Sequence, residues 1–368
     1  MTSPTLRRAV LPQSAALLVV TRGGRVESVH RGSVAVVAAD GRLLAAAGDP
    51  LQPVFLRSAA KPFQLAPFLA AGGERRFRLT TEEIAVASAS HGGEPFHTRT
   101  VLGLLRRGGF TLDDLHCGAH APMREETARA LSVRHEKPNS LHNNCSGKHA
   151  AMLLACQLFG EDPATYWRAD HPLQRRILDV VSRMTGVPEE RIGLGVDGCS
   201  VPVYQVPLYN LALSYARLVG PRLAGESSRE FAARRRIVGA MTEVPEMVAG
   251  TGRFTTSLMR EYGGGLLGKE GAEGVYAVGA PSRLAAALPV SGAIGIALKI
   301  EDGAERGRDA VTVEVMRQLG LAGGSRLARL RRLARRPVRN VRGEVVGGMM
   351  PVFSLDLFAP EGTAGRAR

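Results

Sequence analysis

Ser58 and Lys61, in the segment Phe55-Leu56-Arg57-Ser58-Ala59-Ala60-Lys61-Pro62-Phe63, are the residues of this chain best spaced to do chemistry. A serine hydroxyl is a weak nucleophile until a base removes its proton, and a lysine three residues on can be that base. Residues i and i+3 share one face of a helix, so hydroxyl and amine can meet. The amine must then be neutral, which burial or a nearby positive charge achieves by lowering its pKa. Pro62 suits a first helical turn. An apolar run over residues 64–71 follows, closed by Gly72-Gly73. Ser58 is thereby expected at a helix start, with its hydroxyl near the positive end of the dipole.

Three other segments could carry chemistry. In Ser90-His91-Gly92-Gly93 a serine ends a helix, and the glycines allow close approach of a substrate to the backbone. A Ser58–His91 triad ranks lower, because Lys61 already sits beside Ser58. The stretch His142-Asn143-Asn144-Cys145-Ser146-Gly147-Lys148-His149 is dense in polar side chains directly before an apolar helix. Such groups are costly in a core unless paired, so their density marks a site. Cys145 and Cys199, the latter in Gly195-Val196-Asp197-Gly198-Cys199, could hold zinc with one more ligand from His142, Lys148 or His149. Spacing alone favours two unrelated buried thiols. Lys269 opens a strand beside glycines, where S-x-x-K enzymes place a second lysine. On its own it reads as a loop lysine.

Around these segments lies a chain of 368 residues that is 45% hydrophobic, enough for a large core. No apolar run approaches the roughly 20 residues of a membrane span. Arg7-Arg8 precedes an apolar stretch, but Pro12 interrupts it, so it is read as leading into a first strand and not as a signal peptide. Four cysteines in so long a chain point away from a disulfide framework and toward a reduced, cytoplasmic protein. The net charge of +14 would ordinarily raise nucleic-acid binding. Much of it falls in residues 326–336, where Leu327, Leu330 and Leu333 form a stripe opposite the arginines. No aromatic interleaves there, so a solvated helix face is expected and a nucleic-acid partner is not.

Strands are predicted over residues 15–20, twice within 26–38, and over 43–47, with Asp40-Gly41 as a hairpin turn. Helices are predicted over residues 82–89, 94–107, 146–159, 173–185, 208–218, 229–242 and 306–319, and strands over 274–278 and 294–300. The simplest architecture is α+β: one sheet assembled from both ends of the chain, with helices inserted. We read residues 1–368 as a single catalytic unit. The sheet comes from residues 1–80 and 250–320, the mainly helical part is 81–249, and 324–368 is a basic tail. Residues 360–368 are expected to be mobile.

Together these segments resemble the rhizobial-type, thermolabile and inducible L-asparaginases, sometimes called class 3. The likeness runs from about residue 26 to about residue 320. It is carried by Val26-Glu27-Ser28-Val29-His30-Arg31-Gly32, Leu56-Arg57-Ser58-Ala59-Ala60-Lys61-Pro62, Ser88-Ala89-Ser90-His91, the His142-to-His149 stretch, Val196-Asp197-Gly198-Cys199 and residues 269–274. The order of several independent motifs is more specific than any one of them. The chain is more arginine-rich than that family, and its tail has no counterpart that we match.

The resemblance implies a fold similar to serine β-lactamases and S-x-x-K glutaminases, and hydrolysis of L-asparagine to L-aspartate and ammonia in a homodimer. It implies Ser58 as nucleophile, Lys61 as its base, and Ser90 with Lys269 as a second proton-sharing pair. Cys145, Lys148 and Cys199 take the role of zinc ligands, the metal aiding substrate binding more than bond breaking. Asp197 and His149 fall to the substrate's amino-acid end, and Arg57 to electrostatic support. Three readings compete: an S-x-x-K amidohydrolase for L-glutamine or another amide, a basic nucleic-acid-binding protein, and a catalytically silent asparagine sensor.

Overall fold

The computed structural model describes residues 13–285 and 292–358; residues 360–368 lie outside the described residues. The strands are β1 (Ala15–Arg22), β2 (Arg25–Ala38), β3 (Leu43–Ala47), β4 (Pro53–Phe55), β5 (Gly193–Val196) and β6 (Pro202–Pro207). They continue with β7 (Leu267–Glu270), β8 (Val275–Ala280), β9 (Ile294–Ile300), β10 (Val338–Arg339), β11 (Val345–Pro351) and β12 (Asp356–Leu357). The helices are α1 (Lys61–Ala70), α2 (Gly73–Phe77), α3 (Thr81–Ala87), α4 (Pro95–Gly108), α5 (Glu125–Val133), α6 (Ser146–Phe159) and α7 (Pro172–Thr185). They end with α8 (Leu208–Val219), α9 (Ser228–Glu243), α10 (Pro245–Val248), α11 (Phe254–Glu261), α12 (Glu305–Gln318) and α13 (Gly324–Ala334).

Strands from the two ends of the chain do form one antiparallel sheet, in the order β10-β11-β1-β2-β9-β8-β7, with β3 on β2 and β12 on β3. A separate three-stranded sheet, β4-β6-β5, flanks it. The central strands alternate between two apolar layers. Ala35, Val37, Ala277 and Ala297 face one core, and Val34, Val36, Val278, Ile296 and Leu298 face the other. This is the period of two that a strand buried on both faces produces. Helix α8 covers the first face, and α12 covers the second. At Gly295 an added Cβ would lie 1.8 Å from the Ala212 carbonyl oxygen, so only glycine lets α8 seat this closely.

The structure departs from the sequence reading at two places. Residues 25–38 form one 14-residue strand, where two short ones are predicted. The single strand can serve partners on both edges, β1 beside its first half and β9 beside its second. The C-terminal region also adds β10, β11 and β12 to the sheet, beyond the expected limit near residue 320. Gly347-Gly348 and the adjacent methionines hide the alternation of β11, yet Leu18, Val19 and Val20 pair with Pro351, Met350 and Met349.

The basic run is helix α13, with Leu330 and Ala334 buried. Several arginines of the run are engaged within the chain. Arg329 pairs with Glu261 at 2.8 Å, Arg335 with Glu314 at 2.7 Å, and Arg326 stacks over Tyr262 at 4.5 Å. Among the described residues, no helix is long and apolar enough to cross a membrane.

Gly295→Ala is expected to destabilise the protein by at least about 2 kcal/mol, because backbone on both sides must move to admit the methyl group. The urea midpoint of unfolding measures this, and an unchanged midpoint would show that α8 is not seated as described.

Candidate active site

Arg57–Ala60 form a 3-10 turn that leads directly into α1, whose first residue is Lys61. Arg57 has a left-handed backbone, with φ +48°. For a non-glycine residue this costs about 1–3 kcal/mol and persists only where the surroundings fix it. Here they do. The Leu56 N–H donates to the Tyr204 carbonyl at 2.8 Å, and the Arg57 guanidinium bonds Asp197 at 2.9 Å. The hydroxyl of buried Tyr215, on α8, donates to the Ala59 carbonyl at 2.9 Å. Ser58, inside this turn, is half-buried.

Lys61 is buried, and its amine does not bond Ser58. It donates to the carbonyl oxygens of Ala89 and of Asn144, the latter at 3.1 Å, and lies 3.1 Å from Ser90 Oγ. The expected Ser58–Lys61 hydrogen bond is therefore replaced by a Lys61–Ser90 contact. The turn at residues 57–60 is 3-10 and not α-helical, and the buried carbonyls nearby compete for the amine's three protons.

Ser90 follows α3, and its backbone N–H donates to the Val248 carbonyl at 2.9 Å. Its hydroxyl also meets Lys269 Nζ, at 2.8 Å. Lys269 comes from β7, is fully buried, and donates to the Glu270 carbonyl at 2.8 Å. One hydroxyl thus joins two buried amines. Burial, helped by Lys61 and Arg253 and opposed by Glu270, brings the Lys269 pKa down to about 7. At neutral pH its neutral form is well populated and can take up or release a proton.

Beside this cluster, three donors converge. Lys148 Nζ is 3.1 Å from Cys199 Sγ, and the Cys145 thiol, which donates to Asn144 Oδ1 at 3.1 Å, lies beside Cys199. All three are buried. The proximity of the thiols holds the Cys145 pKa well below its usual value and the Cys199 pKa above. Burial works against the charge on Lys148, but Cys199 and Cys145 outweigh it and raise its pKa. Two sulfurs and one nitrogen fit a borderline-soft ion such as Zn²⁺ and leave a fourth position for another ligand.

Local packing brings this set together. A Cβ at Gly147 would lie 2.3 Å from the Val86 carbonyl oxygen, so α6 lies directly on α3 and brings Cys145 and Lys148 beside Ser90. The Asn143 side chain accepts from the Cys145 N–H at 2.8 Å, and His120 accepts from the Asn144 N–H at 2.9 Å. Asn144 then offers its carbonyl to Lys61 while the next residue, Cys145, faces Cys199. Asp197 joins the two halves. Burial raises its pKa, but Lys148 and Arg57 outweigh that and keep it ionised.

The histidines divide. His142 caps its own turn, accepting the Asn139 N–H at 3.1 Å, which leaves Lys148 as the donor beside the thiols. His91 accepts the Gly93 N–H at 3.2 Å and bonds Ser146 at 3.0 Å, so it is not a base for Ser58. His149 bonds Tyr166 at 2.6 Å, and its Nε2 is buried without a partner among the described residues. The Tyr166 oxygen also accepts the His116 N–H at 3.0 Å, which fixes it beside the imidazole. Among the described residues Cys156, Glu161 and His171 also cluster, within 4.8 Å. His171 has both nitrogens engaged, by the Leu173 N–H and the Asp162 carbonyl, so that group is a helix cap.

The sequence reading missed Asn144 and Glu270. Asn144 acts through a main-chain oxygen, which leaves no mark in a sequence. A glutamate directly after Lys269, inside an apolar strand, was a usable signal.

A search of curated proteins gave no match. Among solved structures, the fold is similar to Mglu in its native form, at 18% identity and TM-score 0.43, covering 80% of this chain and 66% of that one. It is also similar to a probable glutaminase from Bacillus subtilis complexed with 6-diazo-5-oxo-L-norleucine, at 13% identity and TM-score 0.34, covering 79% of this chain and 84% of that one. The chain spans just under two thirds of the length of that Mglu chain. The profile of the L-asparaginase II family matches residues 18–351, which is nearly the whole chain and includes every residue of the cluster described above: the chain belongs to that family.

Proposed function

We propose that the protein is an amidohydrolase that converts L-asparagine to L-aspartate and ammonia through an acyl-enzyme. The observation that carries this reading is the Ser90 hydroxyl held between two buried lysine amines, at 3.1 and 2.8 Å, one of them that of Lys61, three residues after Ser58. Such a chain can remove a proton from a nucleophile and return it to a leaving group. Ser58 attacks the side-chain amide carbon, and its proton passes to the lysine–serine chain. Backbone N–H groups of the Arg57–Ala60 turn stabilise the oxyanion. The chain protonates the departing nitrogen, which leaves as ammonia. Water then hydrolyses the β-aspartyl ester, with the same chain as base.

Cys145, Lys148 and Cys199 are the residues that would hold zinc. Bound there, the ion would supply a Lewis-acidic contact for the substrate's amino-acid end. Asp197 and His149 lie beside this trio and suit the same end.

A second assignment of the nucleophile has its own support. Both amines touch Ser90 and neither touches Ser58, which favours Ser90 as the attacking group. Mass spectrometry of the acid-quenched enzyme decides between them by locating the β-aspartyl ester.

Ser58→Ala is expected to lower kcat for ammonia release from L-asparagine by at least about 10³-fold with the fold intact. Near-wild-type turnover would sink the Ser58 mechanism. Ammonia from L-glutamine at a comparable kcat/KM would move the substrate assignment to the longer amide. Activity is expected to rise with pH through about 7, because the neutral form of Lys269 grows as pH passes its lowered pKa. A pH–rate profile flat from 6 to 9, a window set around that value, would contradict the role given to Lys269. Chelation is expected to raise KM about tenfold or more with little change in kcat, and Cys199→Ala to abolish bound zinc by elemental analysis. A chelated enzyme with unaltered KM would remove the metal from substrate binding.

A further inference from the structure

A cavity of about 840 Å³ is walled by α1, α7, α8 and α9 and by the loop of residues 223–226. It lies apart from the site described above, since Ser58, Ser90, Lys269 and the thiol–amine trio do not line it. Its volume is in the range of small-molecule sites. Much of the lining is apolar. Ala66 and Ala70 stand one turn apart on one face of α1, and their small side chains leave a furrow that Val180 of α7 and Ile237 of α9 also line. The part of α1 along the cavity, residues 62–70, is about 12 Å long.

The charged groups of the lining come from every wall: Arg176, Asp179 and Arg183 on α7, Arg217 on α8, Glu226 in the loop, and Glu230 and Arg234 on α9. Each carboxylate is paired. Arg183 holds Asp179 at 3.0 Å and Glu230 at 2.7 Å, and Arg234 holds Glu226 at 2.8 Å. Arg176 pairs with Glu161, outside the lining, at 3.2 Å. Arg217 is different: it is half-buried, and among the described residues it has no carboxylate partner. Its Nη1 donates to the carbonyl oxygens of Arg183 at 2.9 Å and Met184 at 3.3 Å, at the end of α7. Capping α7 uses that one nitrogen. It also fixes the guanidinium in place and leaves the Nε–Nη2 edge without a partner among the described residues.

A guanidinium edge of this kind matches the two oxygens of a carboxylate, and a furrow of alanines matches a slender hydrocarbon. We infer that this cavity is a binding site for an unbranched aliphatic monocarboxylate, its carboxylate on the Nε–Nη2 edge of Arg217 and its chain along Ala66 and Ala70. A ligand with several polar groups would find the other charged side chains of the lining already paired, and desolvating it there would cost more than it returned. The site does not depend on the amidohydrolase reading.

The test is isothermal titration calorimetry on the whole chain, with decanoate below its micelle concentration as the probe and decyltrimethylammonium as a chain of equal length and opposite charge. A net charge of +14 attracts anions in general, so Arg176→Gln serves as the control that removes the same charge from the same cavity. Wild type is expected to bind decanoate saturably at a single site, and decyltrimethylammonium about tenfold more weakly or less well still. Arg217→Gln is expected to weaken decanoate about tenfold or more, with Arg176→Gln close to wild type. Ala70→Phe fills the furrow, leaves Arg217 in place, and is expected to abolish saturable binding. If Arg217→Gln fails to fold, Arg217→Lys, which keeps the charge and loses the fork, replaces it and is expected to bind decanoate more weakly than wild type. No saturable binding of decanoate by folded wild type, equal weakening by the two arginine variants, or unaltered binding in Ala70→Phe overturns the inference.

Discussion

Two lysine amines buried against a single serine hydroxyl are the constraint on which the rest of this structure depends. In a dry interior two ammonium groups this close repel strongly, so a charge on one disfavours a charge on the other. Water would screen this repulsion, so the cluster must stay dry. It must also stay rigid, because an amine that swings away from Ser90 no longer shares its proton. The three residues come from α1, the loop after α3, and β7, and Ser90 and Lys269 are 179 residues apart. Only a sheet that joins both ends of the chain brings β7 beside the turn before α1. The close seating of α8 at Gly295 and of α6 at Gly147 follows from the same need for exclusion of water.

Charge is arranged around this pair on two sides. On one side Asp197 lies between Arg57 and Lys148 and ties the serine turn to the thiol–amine trio. On the other, the buried carboxylate of Glu270 stands 3.7 Å from Arg253. The sides meet at consecutive residues, since the Asn144 carbonyl holds Lys61 and the Cys145 thiol faces Cys199. An ion held by the trio would change the charge felt by Lys61 through one residue of backbone. In the proposed reaction, binding at one end of a substrate and proton transfer at the other would be linked through the Asn143-Asn144-Cys145 segment, itself fixed by His120 and the Asn143 side chain.

Much of this could be read from residue types and spacing. Ser58, Lys61, Ser90, Lys269, Cys145, Lys148, Cys199, Asp197 and Arg57 all fall in one connected region, because each is a chemically unusual residue in an apolar or glycine-rich setting. Which atoms touch was less legible. The i, i+3 spacing suggests that Lys61 meets Ser58, but the 3-10 turn and the carbonyls of Ala89 and Asn144 draw the amine to Ser90. Backbone acceptors carry no side-chain signature, so a sequence does not reveal this competition. The C-terminal strands escaped for a different reason. Gly347 and Gly348 erase the alternation of β11, and its pairing partner β1 lies more than 300 residues earlier, as the Thr21–Gly348 bond shows with a separation of 327. Local propensity says nothing about contacts of that range.

The strained turn explains why Ser58 and the amines differ in exposure. Had Arg57 taken an ordinary helical backbone, Ser58 would have joined the regular ladder of α1, with its hydroxyl buried against the same carbonyls that hold Lys61. The left-handed φ of +48° at Arg57 instead sets off a short 3-10 turn and leaves Ser58 half-buried while Lys61 and Lys269 are buried. A reacting group must be reachable, and a base with a lowered pKa must be dry. These demands conflict within one regular helix and are reconciled by one irregular residue. The bonds that hold it, from Tyr204, Tyr215 and Asp197, come from three elements outside the turn. The strain is therefore sustained by the tertiary fold, and the segment 55–63 on its own would relax to a conformation in which serine and lysine are no longer differentiated.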